Sequence, residues 1–72
     1  MTRDEFLEMI SECTRGWPPS AAVRAVFREA NRIFDPLLED DDEKQIRFAA
    51  KEFSRRGEEF FNIADALDEL LR

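Results

Sequence analysis

Residues 46–71 read IRFAAKEFSRRGEEFFNIADALDELL, and apolar or small side chains recur in them every seven positions. Two series are offset by four residues: Ile46, Phe53, Phe60 and Leu67 form the first, and Ala50, Gly57, Ala64 and Leu71 form the second. Alternating spacings of three and four residues put both series on one face of an α-helix, as in packed helices. The pattern therefore predicts an apolar helical face, the C-terminal seam, that needs a packing partner.

Gly57 allows two interpretations of this stretch. A single helix over about 42–71 keeps both series in register, and one interior glycine costs only about 1 kcal/mol. Alternatively, the helix breaks at Gly57, because a pair of arginines precedes the glycine and a pair of glutamates follows it, as at a helix end and a new helix start. We favour the unbroken helix, since a turn would disturb the phase between Phe53 and Phe60.

Two shorter helices are predicted upstream of the seam. Thr2 and Glu5 have the spacing of a capping box, which indicates a first helix over about 3–14. A glycine and two prolines end that helix, and a second helix follows over about 20–34. Pro36 limits the second helix and leaves room for a short turn before the third.

The expected architecture is an all-α single domain, a small bundle of three helices, or of four if the chain turns within the seam. A single cysteine and the lack of histidine provide neither an internal disulfide nor a zinc site for a chain of only 72 residues. An unbroken third helix of about 45 Å would be longer than the first two can cover. We therefore expect a homodimer whose interface is the seam: Ile46, Ala50, Phe53, Gly57, Phe60, Ala64, Leu67 and Leu71.

Charge is concentrated in the second half of the chain. Residues 1–34 hold five acids and five arginines, whereas residues 35–72 hold twelve acids and six bases, and the whole chain carries −6. This acidity argues against general nucleic-acid binding, which depends on neutralising phosphates. Five consecutive acids occupy 39–43, and we interpret them mainly as solvated surface and helix caps, with Asp41 or Asp42 capping the third helix.

Three arginines form a stripe on the second helix. Arg24, Arg28 and Arg32 lie one turn apart, opposite the apolar face of that helix. Like charges at this spacing repel, so counter-charges are expected nearby. The acids of the chain itself, including residues 39–43, could provide them, and the alternatives are an acidic protein partner or phosphate groups.

Phe48 lies outside the seam, among basic residues. Lys44, Lys51 and Arg55 surround it on the predicted third helix, which gives an aromatic side chain within a positive strip. Such an arrangement suits a binding hot spot. The alternative is that Phe48 is covered by the first helix or by the 35–41 loop and belongs to the core.

Trp17 and Cys13 are the remaining candidate residues. Trp17, the only tryptophan, precedes two prolines, so its ring could anchor a partner or cover the open end of a small core. Cys13 lies in the apolar stripe of the first helix, which predicts a buried and inert thiol.

The sequence predicts binding rather than catalysis. It contains no glycine-rich phosphate loop or nucleophile motif, so we expect no enzyme activity, cofactor or metal. We expect a small acidic regulator, adaptor or inhibitor that is homodimeric and inserts an acidic helical surface into the basic site of another protein. The alternatives are a nucleic-acid-binding helix-turn-helix that uses Arg24, Arg28 and Arg32, and an acidic mimic of DNA. No apolar run is long enough to span a membrane, so a soluble cytoplasmic protein is expected.

Overall fold

The computed structural model describes all 72 residues and contains four α-helices and no strands. The helices are α1 (Arg3–Cys13), α2 (Ala21–Ile33), α3 (Asp42–Arg55) and α4 (Phe61–Leu70), with short 3₁₀ turns at Pro36–Leu38 and Glu58–Phe60. They fill a volume of 32 × 21 × 20 Å. The all-α prediction is confirmed. No helix has the length and apolar character needed to cross a membrane.

Local capping places the first two helices where the sequence predicts them. The Thr2 hydroxyl accepts from the Glu5 backbone N–H at 3.2 Å, and the Glu5 carboxylate accepts from the Thr2 N–H at 2.8 Å, which completes the capping box. At the start of α2, the Ser20 hydroxyl accepts from the Val23 N–H at 3.3 Å. The predicted bounds of both helices agree with the structure to within one residue.

The acidic run at 39–43 has local structural roles. Asp41 caps α3 by accepting from the Lys44 backbone N–H at 3.1 Å, as predicted. Glu43 pairs with Arg47 at 2.6 Å, one helical turn away. These contacts confirm the interpretation that the run begins α3 and lies at the solvated surface.

The prediction of an unbroken third helix is wrong. α3 ends at Arg55, and Gly57 adopts φ 134° and ψ 170°, a conformation that is essentially restricted to glycine. The chain then reverses, and α4 packs along α3 in the most extensive helix contact of the molecule. The rings of Phe53 and Phe60 lie 5.7 Å apart between centroids, so the two halves of the seam face each other.

The chain itself therefore covers the seam that was assigned to a dimer interface. Of its eight residues, Ala50, Phe53, Phe60, Ala64 and Leu67 are buried, while Ile46, Gly57 and Leu71 are half-buried. The reason for expecting a homodimer, a helix too long for its neighbours to cover, does not hold, because α3 and α4 are both short. Self-association stays a prediction that no contact in the structure requires.

Gln45 is the one fully buried polar side chain of the core, at 0% exposure. Its Nε2 donates to the Asp35 carbonyl at 2.9 Å, and its Oε1 accepts from the Asp35 N–H at 3.1 Å. Both polar groups of the Asp35 backbone are thus satisfied by one amide from α3. This clamp fixes the segment that leaves α2 against α3.

We expect Gly57→Ala to destabilise the protein by about 1–3 kcal/mol, because an alanine is strained in this backbone conformation. A Cβ at Gly57 would also lie 3.0 Å from Glu59 Oε2. The change in the free energy of unfolding is measurable by urea denaturation. Gly16→Ala is the matched control for backbone strain without a steric contact, since Gly16 also has positive φ but a Cβ there meets nothing within 4 Å. If Gly57 lay inside an unbroken helix, Gly57→Ala would instead stabilise the protein by about 1 kcal/mol, so a gain in stability would contradict the observed turn.

We expect Gln45→Met to destabilise the protein by about 1–3 kcal/mol, because it leaves the N–H and carbonyl groups of Asp35 without partners. Urea denaturation measures the loss. Lys44→Met changes the exposed neighbouring residue and should stay within about 0.5 kcal/mol of the parent. Equal stabilities of the two variants would show that the Gln45 clamp contributes nothing.

Candidate interaction surfaces

The arginine stripe on α2 finds its counter-charge on its own helix. Glu29 lies 3.9 Å from Arg28 and 3.4 Å from Arg32, measured between side-chain nitrogen and carboxylate oxygen. No acid of the 39–43 run pairs with the stripe, so that possible source of counter-charge is not used. Arg24 makes no ion pair.

Arg56 extends these contacts from α2 to α3. Its guanidinium lies 2.9 Å from Glu29 and 3.2 Å from Glu52, and Glu52 also pairs with Arg55 at 3.0 Å. The Glu29 and Glu52 side chains are only 15% and 19% exposed. The hydrogen bond from Arg56 to Glu29 raises the pKa of the guanidinium, because the carboxylate stabilises its charged form. The arginine network thus consists of Arg28, Glu29, Arg32, Glu52, Arg55 and Arg56, and its two carboxylates balance half of the charge of its four arginines.

The positive strip around Phe48 contacts this network through Arg55, which pairs with Glu52. Phe48 is half-buried and packs against the core, as its core interpretation requires. Lys44 and Lys51 are exposed and make no ion pair. The strip therefore offers two free ammonium groups, and its aromatic ring is largely engaged by the protein's own interior.

Trp17 forms one wall of an open cleft of about 460 Å³. The other lining residues come from the start of α2 and from the chain around the start of α4. The lining residues are Trp17, Pro18, Ser20, Ala22, Val23, Val26, Glu59 and Asn62. Glu59 is the only charged residue among them, and it makes no ion pair. Trp17 is half-buried, so it both packs on the core and borders the cleft.

The outer surface of α4 carries an exposed aromatic side chain among acids. Phe61 is 48% exposed, although large apolar side chains usually seek the interior. Asp65 and Asp68 lie four and seven residues after it, on the same side of α4, and Glu58 lies three residues before it in the preceding 3₁₀ turn. None of these three carboxylates makes an ion pair. We call Glu58, Phe61, Asp65 and Asp68 the acidic α4 face.

Sequence reasoning missed the acidic α4 face. Phe61 falls outside both seam series and stands beside Phe60, which belongs to one of them. The helical spacing of acids around Phe61 was a readable signal. That signal becomes useful only when it is known that Ile63 and Leu67 face the core, because the side of α4 that faces solvent is then defined.

Cys13 is a half-buried free thiol at the end of α1. Burial raises the pKa of the half-buried Cys13 thiol, and the charge of Glu12 raises it further, so the nucleophilic thiolate is disfavoured. No group of three or more cysteine, aspartate or glutamate side chains is arranged to hold a metal ion.

A double-mutant cycle tests whether the arginine network is compensated internally. For Glu29→Gln and Arg56→Gln we expect a coupling energy of about 0.5–1 kcal/mol, because this pair is short and partly buried. Urea denaturation of the four proteins gives the coupling. The exposed pair Glu12 and Arg15, 3.3 Å apart, is the control and should show coupling close to zero. Zero coupling for both pairs would leave the arginines of the network free for a partner.

Comparison with known proteins adds no relative to these surfaces. No family model, no curated protein and no solved structure matches the chain. The function must therefore be inferred from the chemistry of the surfaces themselves.

Proposed function

We propose that this protein is a small non-catalytic interaction module that binds a basic surface of another protein through the acidic α4 face. The observation that carries the proposal is an exposed phenylalanine near three carboxylates that make no ion pair, two of them on the same side of α4. An apolar anchor within a charged rim is the usual anatomy of a protein-binding hot spot. Such a module would act as a regulator, an adaptor or an inhibitor.

The state of pairing distinguishes the acidic α4 face from the arginine network. Glu29 and Glu52 balance two of the four positive charges that contact them, and all four arginines are engaged in ion pairs. By contrast, Glu58, Asp65 and Asp68 make no ion pair, although Asp68 lines a pocket together with Arg47 and Lys51. The net charge of −6 adds a long-range attraction for basic partners, which raises association rates more than it raises affinity.

The same charges weigh against the nucleic-acid alternative. Two of the three stripe arginines share Glu29, so a phosphate would compete with an existing pair. The DNA-mimic alternative requires acids in two spaced rows, whereas the acidic α4 face presents one row centred on Phe61. A basic protein site with an apolar centre fits this arrangement better.

A synthetic amphipathic helix with leucines along one side and flanking lysines is a suitable probe. We expect Asp65→Lys with Asp68→Lys to weaken its binding by more than about tenfold, since both contacts become repulsive. Phe61→Ala should also weaken binding, with little loss of stability because the ring is half exposed. Isothermal titration calorimetry at physiological salt measures both effects.

The control is Glu8→Lys with Asp40→Lys, which makes the same change in net charge at exposed positions outside α4. It should reduce the affinity much less than the α4 variant. Equal losses in the two charge-reversed proteins would mean that the peptide responds to net charge alone, and the acidic α4 face would then be rejected as the binding site.

A further inference from the structure

We propose that the cleft beside Trp17 accepts the side chain of an arginine or lysine of the basic partner. This inference rests on the proposed function, because the cation comes from the same partner that binds the acidic α4 face. The cleft and that face meet at the 3₁₀ turn before α4, where Glu59 borders the cleft and Glu58 belongs to the face. One partner segment could therefore reach both.

The cleft matches the two chemical parts of such a side chain. Trp17, Pro18, Val23 and Val26 provide an apolar surface for the methylene stem, which long basic side chains bury readily. Glu59 provides the only charge in the lining, and a tryptophan ring attracts cations that lie over its face. The volume of about 460 Å³ lies within the range typical of small-ligand sites.

The backbone reversal places the Glu59 carboxylate. Its Oε1 and Oε2 would lie 3.1 and 3.0 Å from a Cβ at Gly57, so the side chain folds back over the glycine. No arginine or lysine of the chain pairs with it there. Glu59 borders an otherwise uncharged lining and is unpaired, so the cleft favours a cation over a neutral or anionic group.

Other occupants fit the charges less well. The exposed apolar side chain Phe61 of a second copy would bring its own Asp65 and Asp68 toward Glu59, and like charges would repel. A purely apolar ligand would leave Glu59 without a counter-charge.

Tryptophan fluorescence reports directly on the cleft, because the chain has one tryptophan and no tyrosine. The probes are N-acetylarginine amide and N-acetylcitrulline amide, which have nearly the same shape but differ in charge. We expect the arginine derivative to shift the emission with saturation and to bind about fivefold more tightly than the citrulline derivative. Glu59→Gln should abolish this preference, whereas Glu8→Gln, exposed and outside both the cleft lining and the acidic α4 face, should preserve it.

Three results would overturn the proposal. Equal binding of the two probes would show an apolar cleft without cation preference, and unchanged emission with both would show that neither enters. Emission that depends on protein concentration without any probe would identify a second copy as the occupant. The two proposals can be rejected independently of each other. Asp65→Lys with Asp68→Lys tests peptide binding at the acidic α4 face. Glu59→Gln tests binding of the arginine probe in the cleft.

Discussion

The chain reversal at Gly57 is the constraint on which the rest of the structure depends. A backbone at φ 134° turns the polypeptide so that α4 returns along α3. Phe60 is thereby brought onto Phe53, and the apolar side of α4 closes the core. The same reversal leaves Phe61 exposed and brings Glu59 to the cleft that Trp17 lines. The core, the acidic α4 face and the cleft thus share one cause.

Features that act over a few residues could be predicted from the sequence. Thr2, Ser20 and Asp41 cap helices because a short polar side chain reaches backbone groups two or three positions away, whatever the rest of the fold does. The seam was predicted only in part. Its spacing identified residues that become buried, but the spacing is the same whether the partner is another molecule or the next segment of the same chain.

Contacts between residues far apart in the sequence could not be predicted from the spacing of apolar and charged residues. Glu29 and Arg56 are separated by 27 positions, and no local signal couples them. Gln45 likewise looks like an ordinary polar helix residue until the backbone of Asp35 is placed beside it. Trp17 was recognised as an anchor or a core cover because of its stiff surroundings. Its opposite wall, which begins at Glu59, depends on the turn at Gly57, where the unbroken-helix prediction failed.

The hairpin formed by α3 and α4 also provides a route to domain swapping. If the residues around Gly57 straightened, α4 would leave its own α3 and could pack on the α3 of a second molecule through the same side chains. The exchanged dimer would keep the contact between Phe53 and Phe60, now between molecules, and would differ from the monomer mainly in the hinge and in the entropy of association. The balance between the two forms would then depend on protein concentration as well as on the conformation of one glycine.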